Sequence, residues 1–264
     1  MKLTIAAIQT NLHWEDPEAN REHFANLLAE ANPANLYVLP EMFTTGFTMN
    51  AITMAESYEN SSTIEWMKRQ AAKKRAAIAG SLIIKDKGKF YNRFAFVLPD
   101  GLVTFYDKRH LFRMANENDS YAPGKARCVV NWKGFRILLQ VCYDLRFPVW
   151  SRNVVDEQNR FLYDAVLYVA NWPSPRISAW DTLLKARAIE NISYVVGVNR
   201  IGQDAKGNSY TGHTACIDFM GNLESKAKEN QQTVIYTTWD KIELMKFREK
   251  FPSWMDADEF SVKV

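Results

Sequence analysis

Leu138-Leu139-Gln140-Val141-Cys142-Tyr143-Asp144-Leu145-Arg146-Phe147-Pro148 is an apolar run that stops at a cysteine and passes at once into charged residues and a proline. It reads as a buried strand that carries one thiol to the edge of a sheet and then turns. A nucleophile placed where a strand ends is held by the sheet yet open to a substrate, which is the logic of a strand-to-turn elbow.

Outward from this stretch, β-forming runs at residues 3–9, 36–39 and 77–84 suit strands covered on both faces. Asp16-Pro17 supplies an N-cap and a proline at the first helical position, and Phe24, Leu27, Leu28 and Ala31 share one face before Pro33. Ser62 and Glu65 have the spacing of a capping box for a helix reaching about Arg75. Pro99-Asp100-Gly101 predicts a hairpin of residues 90–98 and 102–106, after which comes Asp107-Lys108-Arg109-His110. A polar loop over 114–124 precedes a strand pair, 127–131 and 135–141. Strands are expected at 164–170 and 194–200, separated by a helix marked by Ile177, Trp180, Leu184 and Ala188. Residues 214–219 and 233–238 read as strands around the Met220-Gly221-Asn222 turn, 241–249 as a last helix, and the tail with Trp254 as lying outside the core. Alternating strands and helices with hairpins predict a mixed α/β fold, and without repeats or Pro/Gly/Ser-rich linkers residues 1–264 read as one domain.

With 47% hydrophobic residues the chain has ample material for a core, which excludes a disordered composition. Its net charge of +3 is spread along the chain, and the longest basic run, Lys73-Lys74-Arg75, reads as a solvated helix face, so no nucleic-acid partner is expected. No segment approaches the roughly 20 apolar residues of a membrane span, and residues 1–10 lack the pattern of a secretory signal. Three well-separated cysteines point to a reducing cytoplasm and to neither disulfides nor zinc. The four histidines show no metal-type or Ser-His-Asp arrangement, and His110 is expected to brace the segment bearing Lys108.

Three strand ends carry reactive side chains: Glu41, Lys108 and Cys142. In a largely parallel sheet, ends of one polarity gather on one edge, where ligands bind. A carboxylate, an ammonium and a thiol together supply base, electrostatic stabiliser and nucleophile for acyl transfer. Each has a purely structural alternative: Cys142 as a small core residue, Glu41 as a turn cap, Lys108 as a solvated strand end.

Four blocks decide between them. Pro40-Glu41 with Phe43 and Gly46, Lys108 with His110-Leu111-Phe112, Cys142-Tyr143-Asp144 with Arg146-Phe147-Pro148, and Asn171-Trp172-Pro173 with residues 185–191 stand in one order along the chain. Together they resemble the nitrilase (carbon-nitrogen hydrolase) superfamily, from Ile5 to about Gly221. The resemblance implies a four-layer αββα sandwich, a catalytic triad of Glu41, Lys108 and Cys142, a further glutamate at Glu117, and no metal or other cofactor. Within the superfamily the chain most resembles the omega-amidase group, which hydrolyses the terminal amide of 2-oxo acids such as 2-oxoglutaramate through a cysteine thioester. The same triad also serves N-carbamoyl amine hydrolases and nitrilases, and a catalytically silent binding relative would share the fold. Phe147-Pro148-Val149-Trp150 and Gly212-His213-Thr214 depart from common family patterns and bear on substrate choice alone.

For a carboxylate-bearing amide, Arg146 and Arg113 are candidate anion partners, because a guanidinium fork matches a carboxylate. Tyr143 is a backbone donor to the oxyanion, and Trp172 and Phe43 are candidate walls for the acyl chain. The helix over 177–191 reads as carrying a broad apolar surface with Trp180 exposed toward a partner, and the resemblance implies a homodimer built on such a helix.

Overall fold

The computed structural model describes residues 1–262. Strands β1 (Lys2–Gln9), β2 (Leu36–Val38), β3 (Glu56–Ser57), β4 (Ala77–Asp86), β5 (Lys89–Val97) and β6 (Val103–Asp107) belong to a first sheet. Strands β7 (Val129–Trp132), β8 (Phe135–Val141), β9 (Ala165–Ala170) and β10 (Tyr194–Asn199) begin a second. A two-stranded ribbon of β11 (Ile201–Gln203) and β12 (Ser209–Thr211) follows, and β13 (Ala215–Ile217) and β14 (Leu223–Lys226) complete the second sheet. The last strand, β15 (Thr233–Asp240), returns to the first sheet, giving the orders β15-β1-β2-β4-β5-β6, with β3 beside β4, and β14-β13-β10-β9-β8-β7.

The helices are α1 (Pro17–Glu30), α2 (Ala51–Met54), α3 (Ser62–Lys74), α4 (Glu117–Ser120), α5 (Pro148–Ser151), α6 (Ile177–Asn191) and α7 (Lys241–Lys250). The period of two along each strand sorts the layers. In β1, Leu3, Ile5 and Ala7 share the inter-sheet core with Tyr194, Val196 and Val198 of β10, while Ala6 and Ile8 meet Phe24, Leu28 and Met67 of α1 and α3. On the second sheet's outer face, α6 lays Trp180, Leu184 and Ala188 into the same core as β10. Gly197 allows this approach, since a Cβ there would come within 2.5 Å of Leu184 and 2.8 Å of Trp180. The result is a four-layer αββα sandwich, and because both sheets are covered, central strands such as β2, β9 and β10 are continuous buried apolar runs.

The structure departs from several of these expectations. The Met220-Gly221-Asn222 turn joins β13 to β14; β15 instead crosses to pair along eight residues with β1, a long-range pairing that local pattern does not encode. Trp180 is fully buried, its indole donating to the His213 carbonyl (2.9 Å), and so is not turned toward a partner. The N-cap of α3 is Ser61, whose side chain accepts from the Ile64 amide. Lys74 is not solvated: it donates to the Leu28 and Ala31 carbonyls at the end of α1 (2.7 and 3.1 Å). Trp254 packs on the rim of the core against Phe161.

Candidate active site

β1, β2 and β4 run parallel, as do β8, β9 and β10, and β6 regains the sense of β4 through two antiparallel steps. The segments after β2, β6, β8 and β9 therefore meet at one edge of the sandwich, bringing together Glu41, Lys108, Cys142 and Asn171.

Cys142 sits at φ +46°, a left-handed conformation that turns the chain sharply from β8 into the 3₁₀ turn Cys142–Arg146. Holding a non-glycine residue there costs on the order of 1–3 kcal/mol, so the surroundings must enforce it. Asp144 does so. Its buried carboxylate accepts from the Val141 amide (3.0 Å), the Tyr106 hydroxyl (2.8 Å) and the His110 amide (2.9 Å), and its Oδ1 lies 2.8 Å from His110 Nδ1. The elbow is thereby fastened to the segment that carries Lys108, and His110 braces that segment.

Glu41, Lys108 and Glu117 are buried together. Lys108 Nζ donates to Glu41 Oε1 and to both Glu117 oxygens, each at 2.9 Å. Glu41 also accepts from Asn92 Nδ2 (2.8 Å) at Oε1 and from the Asn171 amide (2.8 Å) at Oε2, and its carboxylate stands close enough to act on the Cys142 thiol. Glu117 accepts from the Phe112 amide (2.6 Å), and Glu41, Lys108 and Glu117 all lie beneath the cavity wall, which Cys142 and Asn171 reach. Asn92 and Ser81 had no recognisable signal in the sequence, whereas Asn171 opens one of the four blocks but with no role legible there. Ser81 donates to Asn92 Oδ1 (2.8 Å), which aims the Asn92 amide at Glu41.

Burial opposes the Lys108 charge, but Glu117 and Glu41 outweigh it and hold its pKa above the ordinary lysine value. Burial raises the Glu117 pKa, against the pull of Lys108. Burial and then the Glu41 carboxylate push the Cys142 thiol far up, Lys108 notwithstanding, so the resting sulfur is a neutral thiol that needs a base. Among the described residues, Lys108 is the only cation in direct contact with two buried carboxylates. Lys108→Met is accordingly expected to cost about 3–5 kcal/mol of stability. Adding Glu117→Gln should restore part of this, as read from chemical denaturation midpoints. Equal stabilities for wild type and Lys108→Met would contradict this electrostatic account.

A cavity of about 400 Å³ opens onto Cys142. Of the residues expected at the substrate, Tyr143, Arg146 and Trp172 line it. Phe43 does not: Met42 takes φ +44°, and Phe43 passes into the helix-side core, edge-on to Phe24 at 5.4 Å. Arg113 is exposed on the 3₁₀ turn Arg113–Ala115 and lies outside the cavity wall. In their places the fold puts Phe47, Phe112 and Arg176. Phe47 is four residues beyond Phe43, past the reversal at Met42 whose positive φ no glycine announces.

Residues 4–248 match the carbon-nitrogen hydrolase family. The chain is 48% identical to omega-amidase YafV of Escherichia coli (strain K12), over 98% of each sequence. It is 29% identical to 2-oxoglutaramate amidase of Bacillus subtilis (strain 168), over 97% of this chain and 98% of that one. A CN-hydrolase superfamily protein from Xanthomonas campestris, whose crystal structure carries an arsenic adduct in the active site, superposes over 100% of both chains with a TM-score of 0.96 at 43% identity. On the family match and on these full-length likenesses, the chain belongs to the carbon-nitrogen hydrolase family.

Proposed function

We propose that this protein is an omega-amidase that hydrolyses the terminal amide of a small 2-oxo dicarboxylic acid monoamide, 2-oxoglutaramate or a close analogue, to the acid and ammonia. The observation that carries the reading is the Cys142 thiol on the wall of a cavity that also bears Arg146 and Arg176, beside a buried Glu41–Lys108 pair whose carboxylate acts on that thiol. The full-length likeness to proteins named omega-amidase and 2-oxoglutaramate amidase supports the choice of substrate class.

In this reading Glu41 takes the thiol proton as Cys142 sulfur attacks the amide carbon. The oxyanion is held by Lys108 and by the backbone N–H of Tyr143, which lies in the first turn of its 3₁₀ segment, where amides have no intrahelical acceptor. The C–N bond breaks as Glu41 returns the proton to nitrogen, and ammonia leaves a thioester on Cys142. Glu41 then takes a proton from water, whose oxygen attacks the thioester carbon. The C–S bond breaks, the sulfur regains a proton, and the product departs as a carboxylate. Glu117 keeps Lys108 charged and fixes its direction. Arg146, whose guanidinium lies 4.9 Å over the Trp172 ring, receives the substrate's distal carboxylate.

The same reading takes the protein to be a cytoplasmic homodimer. All three cysteines are free, and Ile189, Met220 and Leu223 leave apolar surface exposed near the end of α6.

Ammonia release from 2-oxoglutaramate, an N-carbamoyl amine and an aliphatic nitrile separates the alternatives. The 2-oxo acid amide is expected to be turned over at least about tenfold more efficiently than either other compound. Release only from the carbamoyl compound or the nitrile would overturn the amidase reading, and release from none would leave a binding protein.

A further inference from the structure

We infer that Arg176 is the second arm of a two-guanidinium clamp which, with Arg146, selects amides bearing a carboxylate at the end remote from the scissile bond. The inference rests on the amidase reading and adds a specificity-determining residue to it.

Arg146 and Arg176 come from separate elements, the 3₁₀ turn after β8 and the 3₁₀ turn Ser174–Arg176 after β9, and both line the cavity that reaches Cys142. One indole sets both. The face of Trp172 carries the Arg146 guanidinium at 4.9 Å, while its Nε1–H donates to the Arg176 carbonyl at 2.8 Å. Trp172 is itself pinned, its amide donating to Asn199 Oδ1 (2.8 Å). The turn of Arg176 is tied to β12 by Ser174 Oγ donating to the Ser209 carbonyl (2.9 Å). The Arg176 guanidinium rests over Phe112 at 5.3 Å and donates to the Met114 sulfur at 3.9 Å. A guanidinium stacked on an aromatic face gives up little further rotamer freedom when it binds an anion.

The charge balance of the wall points the same way. Arg146, Arg176 and Lys206 line it, and among the described residues no carboxylate does. The nearby acid on the ribbon, Asp204, is consumed by its turn: it accepts from the Lys206 and Asn208 amides (2.9 Å each) and from the Tyr210 hydroxyl (2.8 Å). The catalytic floor carries two carboxylates for one ammonium. An anionic substrate brought toward that floor needs positive charge at its other end, and a concave wall of one sign raises its local concentration. Arg146 alone supplies one fork. Arg176 supplies the second, which would leave both carboxylate oxygens paired on both sides.

The test compares glutaramate with pentanamide, which has the same chain length and no charge, in wild type and in Arg176→Gln, Arg176→Lys and Arg113→Gln. Arg176→Gln is expected to raise KM for glutaramate about tenfold, to change kcat less than about twofold, and to leave kcat/KM for pentanamide unchanged. Arg176→Lys, with charge but no fork, should fall between. Arg113→Gln, exposed and outside the wall, should match wild type. Glutarate affinity, measured by calorimetry and needing no turnover, should weaken about tenfold in Arg176→Gln. An unchanged glutaramate KM with unchanged glutarate affinity, or equal losses on both amides, would overturn the clamp. Absence of ammonia release by wild type from glutaramate, pentanamide and 2-oxoglutaramate alike would instead overturn the amidase reading, while the glutarate titration still decides the clamp.

Discussion

Cys142→Ala is expected to lower ammonia release from 2-oxoglutaramate at least about 10⁴-fold while leaving the folded protein nearly as stable as wild type. Both halves follow from the site. Among the described residues Cys142 is the one cysteine on the cavity wall, and the other cysteines cannot replace it. Cys128 is pushed up to about 11 by burial and Cys216 is buried in β13, so neither is a ready thiolate, and neither lines the cavity. An alanine keeps the Cβ at φ +46° and incurs no greater backbone strain than cysteine. It also removes a thiol that sits desolvated beside negative charge. A large fall in melting temperature together with lost turnover would mean that Cys142 is a packing residue, which is its structural alternative.

Glu41→Gln is expected to lower kcat/KM by about 10³-fold, within the range of a lost general base. The amide is isosteric but accepts at one end only, whereas Glu41 receives Lys108 and Asn92 at one oxygen and the Asn171 amide at the other. Either orientation of the glutamine sets a donor against a donor, so some loss of stability accompanies the loss of rate. A second readout separates the two causes. The Glu41 carboxylate is, after burial, the largest influence raising the Cys142 pKa, so its removal should lower that pKa. The midpoint of the pH profile for iodoacetamide alkylation of Cys142 should then move to lower pH while turnover falls. A midpoint moved to higher pH, or turnover near wild type, would contradict the role of Glu41 as the proton acceptor.

What the sequence discloses of this site is set by how local each feature is. Cys142, Glu41 and Lys108 end strands whose apolar runs are long enough to recognise, and the shared polarity of parallel strands predicts that such ends converge. Arg146 and Trp172 fall in the same blocks. Phe43 and Arg113 misled because each stands close in sequence to a site residue but is turned away by a positive φ or a short 3₁₀ turn, at Met42 and at Arg113–Ala115. Asn92 lies inside β5 as an ordinary strand residue, and only the pairing of β4 with β5 sets Ser81 near it to aim its amide at Glu41. Asp144 shows the same limit. Its four contacts come from β8, β6 and the segment after β6, a convergence made by tertiary structure. The αββα layering was legible through the family resemblance, whereas the pairing of β15 with β1 across the whole chain was not.

The central claim is that a covalent acyl bond forms on Cys142. Acid quench of wild type during turnover of 2-oxoglutaramate, followed by mass mapping of peptides, tests it most directly. The acyl group of the substrate is predicted on the peptide containing Cys142 and on no peptide of Cys142→Ala. Acyl mass on another residue, or ammonia release by Cys142→Ala at a rate near that of wild type, would contradict it.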